Sequence, residues 1–387
     1  MKDKILNFLE NKIDCKCYKA YKFCYDNFEV PVNEYDDHIK ISVKRSGENT
    51  KIKQSVNLRA LAKTINQESK PLFKLFLDGS RRVYKIDDVA IDDRMYPIIA
   101  GQIGVGCCER KNPDKFNALS IFSDFVLSIP DCVDKDGKNE LFYNNLLNKL
   151  NDLDFLKYHN LKFKKILSYS YSALKEGEKY ENRGIAKIQD EMIEQEKKLV
   201  EYLAKENKLT SESYLIKDGS LEYSEKGLGD KSKSYQLAKI KSNYRHVVGV
   251  SKSFNPERCI DERDRPNAVK IADLPLFHRT PAYMFESDII NDVKFSIWYL
   301  RIRESKKTIS QFDCILKIEK ILVTEDEQEH GLESNEIDII SANIINERNP
   351  VAYGSDKRWA NHLYPVYLTE SFIKSKYLSD IYFLNLF

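Results

Sequence analysis

Apolar positions crowd together and then alternate between residues 72 and 110. "LFKLFLDGS" (72–80) is a Leu/Phe run closing on Asp78-Gly79, which predicts a buried strand that ends in a turn. "RRVYKIDDVAI" (81–91) and "YPIIAGQIGVGCCER" (96–110) alternate or run apolar with β-branched residues and predict antiparallel strands. The pattern then changes to a helical period. "NELFYNNLLNKLNDLDFL" (139–156) opens a helical or mixed region. "RGIAKIQDEMIEQEKKLVEYLAKEN" (183–207) places Ile185, Ile188, Met192, Leu199, Tyr202 and Leu203 on one stripe, so it predicts a long amphipathic helix.

The second half repeats the alternation of types. "SESYLIKDGSL" (211–221) predicts a strand, "KSYQLAKIKSNY" (233–244) a helix and "HVVGVSK" (246–252) a strand. A loop bearing Pro256, Pro266, Pro275 and Pro281 leads to the strands "KFSIWYLRIR" (294–303) and "CILKIEKILV" (314–323). "SNEIDIISANIIN" (334–346) predicts a helix, and "HLYPVYLTESFIKSKYLSDIYFLNLF" (362–387) a Pro-punctuated stretch running into a terminal helix. Residues 1–70 are lysine-rich with scattered aromatics, and "VNLRALAKTINQ" (56–67) predicts a helix within them. The fold class expected is therefore α/β: an RNase H-like mixed sheet flanked by helices, with an N-terminal α/β extension. The domain reading is 1–70 for the extension and 71–387 for the main domain.

Composition narrows the class only a little. Of 387 residues 42% are hydrophobic, enough for a substantial core. No apolar run approaches the about 20 residues of a membrane span, and the first residues show no signal-peptide core. The expectation is a cytoplasmic protein without membrane contact. The net charge of +2 comes from 62 basic and 60 acidic residues, so nucleic-acid binding would rest on local patches. The eight cysteines lack zinc-ligand spacing and read as free thiols. The glycines of "AGQIGVG" (100–106) lack the Gly-Lys-Ser/Thr ending of a phosphate loop and read as a glycine-bearing strand.

The chemistry turns on a tripeptide that occurs twice, Asp78-Gly79-Ser80 and Asp218-Gly219-Ser220. Each copy follows an apolar strand. Either is readable as an Asx turn or hairpin. Together they are also readable as two strand-end carboxylates of one metal site. Two-metal phosphodiester hydrolysis needs such carboxylates, because hard divalent ions take oxygen ligands and two of them about 4 Å apart serve both the attacking and the leaving oxygen.

In order along the chain stand "LDGS" (77–80), "EMIEQEKKLVEYL" (191–203), "KDGSL" (217–221), "VVGVSK" (247–252) and "HLYPVYLTESF" (362–372). This ordered set resembles the NurA family of DNA nucleases, over roughly residues 70–387. The resemblance implies an RNase H-like domain akin in fold to the Piwi domain of Argonautes, dependent on Mn²⁺ or Mg²⁺. It implies endonuclease action on single strands and 5′–3′ exonuclease action on DNA, a homodimer, and a HerA-type hexameric ATPase as partner in end processing or anti-phage defence.

Carried over residue by residue, the resemblance makes Asp78 and Asp218 catalytic and metal-binding, with Glu196 as the helix ligand and Glu194 or Glu191 as alternatives. Glu194 and Glu196 point about 200° apart on a helix, so only one of them faces the site. The C-terminal motif departs from the family: Glu370 stands where a histidine is usual, and His362 or Tyr364 takes the place of a tyrosine. With Thr369 as helix N-cap, Glu370 would lie in the first turn, where the helix dipole favours a carboxylate and would make it a fourth ligand. Lys252 matches a family lysine that would hold phosphate. Arg301 and Arg303 share one strand face and, with Lys252, His362 and Tyr364, form the expected nucleic-acid contacts. The competing reading is a degenerate RNase H-like or Piwi-like domain that binds nucleic acid or a partner ATPase without cleaving.

Overall fold

The structure is a computed structural model. It describes residues 4–13, 16–18, 23–24, 42–68, 70–137, 139–221, 238–263, 265–286, 293–304, 311–350 and 359–387. The N-terminal stretch supplies α1 (Lys4–Lys12), β1 (Lys16–Tyr18), β2 (Phe23–Cys24), β3 (Ser42–Ser46), β4 (Val56–Asn57) and α2 (Arg59–Glu68). Three long strands follow: β5 (Phe73–Ile91), β6 (Arg94–Asn112) and β7 (Lys115–Pro130). Then come α3 (Glu140–Asn151), α4 (Asp154–Tyr158), β8 (Phe163–Tyr169), α5 (Tyr180–Lys205) and β9 (Tyr214–Asp218). Of the helix expected over 233–244, residues 238–243 are helical (α6), and its beginning lies outside the described residues.

The remainder comprises β10 (Val247–Ser251), α7 (Ala268–Ala272), β11 (His278–Arg279), β12 (Tyr283–Glu286), β13 (Lys294–Arg301) and β14 (Ile315–Ile321). Four helices close the chain: α8 (Glu325–His330), α9 (Ser334–Ile345), α10 (Tyr364–Lys374) and α11 (Asp380–Leu384).

All strands join one mixed sheet, whose main path runs β3-β12-β13-β14-β10-β9-β5-β6-β7-β8. At its centre β5, β6 and β7 form an antiparallel meander. On the other side of β5, β9 and then β10 run parallel to it. Helices cover both faces, so this is a large mixed sheet flanked by helices, as the order of elements predicts. The early strands are woven into the same sheet: β1 and β2 pair with β5, β3 with β12, and β4 with β11. Arg279 and Glu48, both fully buried, pair at 3.0 Å and tie residues 42–50 to the body of the sheet.

The two faces follow from strand alternation. On β5 the odd positions Leu75 and Leu77 join Ile188, Met192, Leu199 and Leu203 of α5 in one core. The even position Phe76 belongs to a second core with Ile216, Ile340 of α9 and Val366 of α10. Glycines on β6 let both helices in. A Cβ on Gly101 would press on Ile188 of α5, and one on Gly104 would collide with Ile373 of α10. The glycine-rich segment is thus a strand shaped for close helix packing.

Several expectations are corrected. The first DGS is no turn: β5 runs unbroken from Phe73 to Ile91, and the hairpin falls at Asp92-Asp93, whose φ values are 46° and 60°. Asp tolerates this left-handed region better than most residues, so the Asp-Asp pair makes the turn while Gly79 serves packing. The second DGS is a turn, with β9 ending at Asp218 and Gly219 at φ 79°. Strand β7, which the sequence reading leaves out, is exposed or half-buried along its first half. On α5, Ile188, Met192, Leu199 and Leu203 are buried, but Tyr202 is 51% exposed, off the packed stripe. Thr369 is not an N-cap. Helix α10 begins at Tyr364 behind Leu363, with Pro365 in its first turn, where the missing N–H costs nothing. Thr369 therefore lies inside the helix, its hydroxyl donating to Pro365 O at 2.9 Å. Glu370 lies beyond the first turn, out of reach of the N-terminal dipole.

Candidate active site on three parallel strands

Adjacent strands bring the two DGS aspartates side by side. Leu77 of β5 and Lys217 of β9 are register partners, so the next residues, Asp78 and Asp218, stand together on neighbouring parallel strands. Asp218 is in turn the register partner of Val250 on β10, and Lys252 lies two residues beyond Val250. Two residues on is the same face. Three strands thus deliver Asp78, Asp218 and Lys252 to one side of the sheet. That side is the α10 side, because Asp78 is paired with Gly106 and a Cβ on Gly106 would touch Ile373. Helix α10 adds Glu370, and the turn before it adds His362.

The contacts are close. Lys252 Nζ lies 2.7 Å from Asp218 Oδ2 and 3.2 Å from His362 Nε2. His362 Nε2 is 3.7 Å from Glu370 Oε2, and Lys374 Nζ is 2.7 Å from Glu370 Oε1. Lys252 and His362 are buried, at 7% and 1% exposure. Asn361 supports this floor by donating to Lys252 O at 2.6 Å. Asp78 is 5% exposed, and its side chain has no hydrogen-bond donor among the described residues.

The electrostatics split the two aspartates. Burial, then the neighbouring charges of Asp218, Glu370 and Glu196, push the Asp78 carboxyl well above its ordinary range, against the pull of Lys252. Burial acts on Asp218 in the same sense, but the Lys252 ammonium overrides it and holds Asp218 low. Glu370 is likewise held low against burial, by Lys252 and Lys374.

Glu196 occupies the other side of the sheet. A Cβ on residue 79 would collide with its Oε1, so the glycine leaves the carboxylate room in this position. Its Oε2 is 3.1 Å from Lys217 Nζ, and both side chains are under 10% exposed. Burial raises the Glu196 carboxyl, and Lys217 opposes the rise. Of the alternatives, Glu191 pairs with Lys165 at 2.7 Å and Glu194, half-exposed, with Lys197 at 2.8 Å. Glu196 is thus the glutamate of α5 closest to the DGS strands, within electrostatic range of Asp78 but on the opposite face.

The remaining candidates lie apart. Arg301 is buried and donates to the carbonyls of Leu274, Ala272, Gln311 and Asp313. Arg303 donates to Ala360 O and His362 O, and burial pushes its guanidinium down to about 10. Both guanidinium groups are taken up by backbone, and Arg303 braces the segment that carries His362. Tyr364 is half-buried, with its ring edge-on to Phe116. Sequence reasoning missed Lys217 and Asn361. Lys217 was open to detection as a lone cation in the apolar strand "YLIKD".

No protein-family model matches the chain, and neither does any curated protein. Among solved structures, the chain is similar to the crystal structure of the NurA nuclease from Sulfolobus solfataricus. The TM-score is 0.39 and the identity 9%, over 82% of this chain and 87% of that one.

Whether a divalent ion suits the site is a matter of donor chemistry. Asp78, Asp218 and Glu370 offer oxygen, the donor that Mg²⁺ and Mn²⁺ prefer. A buried carboxylate without a donor, as Asp78 is, is stabilised by a cation. As the side chains stand, no three acidic, imidazole or thiol groups close on one point at ligand distance among the described residues. The cation already between the acids is Lys252. Among the described residues, no helix is long and apolar enough to cross a membrane.

Proposed function

We propose that this chain is a divalent-metal-dependent nuclease that hydrolyses DNA phosphodiesters. The observation that carries the reading is the placement of Asp78, Asp218 and Glu370 on one face of the sheet beside Lys252. These residues come from separate elements, and nothing in packing requires three buried or half-buried acids to share a face. The ordered resemblance to NurA nucleases supports the same reading.

Asp78, Asp218 and Glu370 would hold Mn²⁺ or Mg²⁺. When bound, such an ion supplies an activated water and positive charge for the leaving oxygen. The chain's own groups do the rest. Asp78 gives up its proton when a cation is at hand, since its proton is retained through burial and acidic neighbours. Lys252 places a fixed charge next to Asp218, suited to a non-bridging phosphate oxygen. His362 and Asn361 hold Lys252 in place. Glu196 stands against Lys217 on the opposite face, away from the ion that Asp78, Asp218 and Glu370 would hold.

The finer reading belongs to the same proposal: endonucleolytic action on single strands, 5′–3′ exonucleolytic action, a homodimer, and a HerA-like ATPase that feeds DNA in end processing or anti-phage defence. A second reading has support of its own. Lys252 and Lys217 already neutralise Asp218 and Glu196, as in a domain that binds nucleic acid or an ATPase without cutting. Incubating the purified chain with single- and double-stranded DNA and Mn²⁺ or Mg²⁺, with a chelator control, separates the two. Chelator-sensitive cleavage supports the nuclease. Binding without cleavage supports the second reading.

A further inference from the structure

The turn that carries Asp218 is held from the far side of the sheet. Gly219 adopts φ 79°, and the chain doubles back over β10. Gly249 on β10 makes room for this: a Cβ there would press on Leu221 and on Gly219 O. Leu221 then enters the α5-side core, fully buried.

Beyond Gly249, its register partner Glu319 on β14 receives the turn. Glu319 is 1% exposed. Its Oε2 accepts from both Ser220 Oγ and Leu221 N, each at 2.8 Å. Its Oε1 is 2.8 Å from Lys317 Nζ. Lys217 closes the turn from within, donating to Asp218 O at 2.8 Å and Ser220 O at 3.1 Å.

A buried carboxylate that takes a backbone N–H and a hydroxyl from one tight turn fixes that turn against rotation. We propose that Glu319 is a positioning residue: it locks the Gly219–Leu221 turn and so sets the direction of the Asp218 carboxylate on the opposite face. It touches none of the acids itself. The inference rests on the nuclease reading, and it explains why a charged pair, Lys317–Glu319, is kept in the interior of β14. A hydrophobic pair would pack there equally well but could not accept both donors.

The test has two arms on the full-length chain. Amide hydrogen exchange reads the turn directly. In Glu319→Gln, exchange at Leu221 and its neighbours rises at least about tenfold, because a neutral amide oxygen is a weaker acceptor than the carboxylate for both turn donors. Mn²⁺-dependent cleavage reads the consequence. In the same variant kcat falls about 10- to 100-fold with KM for DNA unchanged, the mark of a misdirected reacting group rather than lost substrate contact. Ser220→Ala, which removes one donor and leaves the Lys317–Glu319 pair intact, gives a smaller change of the same kind if Glu319→Gln fails to fold. Unchanged exchange at Leu221 overturns the clamp. Raised exchange with wild-type kcat overturns its link to Asp218. A wild-type chain that never cleaves overturns the nuclease reading instead, and the exchange arm still decides the clamp.

Discussion

Lys252 reaches Asp218 at 2.7 Å, while Asp78, on the neighbouring strand, has no hydrogen-bond donor among the described residues. Two copies of one tripeptide thus hold carboxylates of opposite tendency. Asp218 is kept ionised by an ammonium group, and Asp78 is pressed toward its protonated form by burial and by Asp218. This is the asymmetry expected of acids that share a cation site, and it has measurable consequences.

Asp78 costs stability when ionised. Its folded-state pKa lies above the unfolded value, so the stability tied to its proton is complete below the unfolded pKa and is lost as pH rises through the folded one. Asp78→Asn removes that loss. The variant should be more stable than wild type at pH 7 to 8 by about 0.5–2 kcal/mol, the usual size for relieving a functional site. The gain should vanish in acid. Denaturant unfolding across pH checks this, and a variant less stable than wild type at neutral pH would refute it.

Lys252→Met withdraws the cation that lowers Asp218, Glu370 and Asp78 alike. All three carboxyls then hold their protons to higher pH. The acid limb of the cleavage profile should move upward, and the rate at neutral pH should fall by about 10- to 100-fold. A profile with an unmoved acid limb would place the lysine outside the site's electrostatics.

Helix α10 reaches the sheet because residue 104 has no side chain. A Cβ on Gly104 would collide with Ile373. Gly104→Ala should cost about 1–3 kcal/mol through overpacking and should lower cleavage by shifting Glu370. Adding Ile373→Ala should restore part of both, a coupling that a double-mutant cycle reads.

Arg301 is held by four backbone carbonyls and not by the open face of the site. Arg301→Met should therefore unfold the chain more easily by about 3 kcal/mol or more, since several buried acceptors lose a charged donor. DNA affinity measured below the unfolding transition should stay within about twofold. A selective loss of affinity in a fully stable variant would restore Arg301 as a DNA contact.

The mixed sheet was legible because long apolar strands and one long amphipathic helix leave strong periodic signals, as in "LFKLFL" and α5. The position of Asp78 was legible; its geometry was not. Asp-Gly is a turn signal by local statistics, and only the helix packed on Gly79 shows why the strand continues through it. The start of α10 was misplaced because Thr369 resembles a cap, whereas Leu363 and Pro365 begin the helix earlier. The side of the sheet on which Glu196 stands depends on how α5 crosses β5, which helical period does not encode. The hold of Glu319 on the second DGS turn joins residues about a hundred positions apart, and no local pattern marks it.

The central claim is that Asp78 and Asp218 serve one hydrolytic centre. Single-turnover cleavage of a short DNA substrate in Mn²⁺ tests it most directly, with wild type, Asp78→Asn and Asp218→Asn compared at equal folded fraction. Wild type should cleave in a chelator-sensitive way and each variant should lose about 10³-fold or more, with the double variant no worse than either alone. No cleavage by wild type, or cleavage undiminished in the variants, would contradict it.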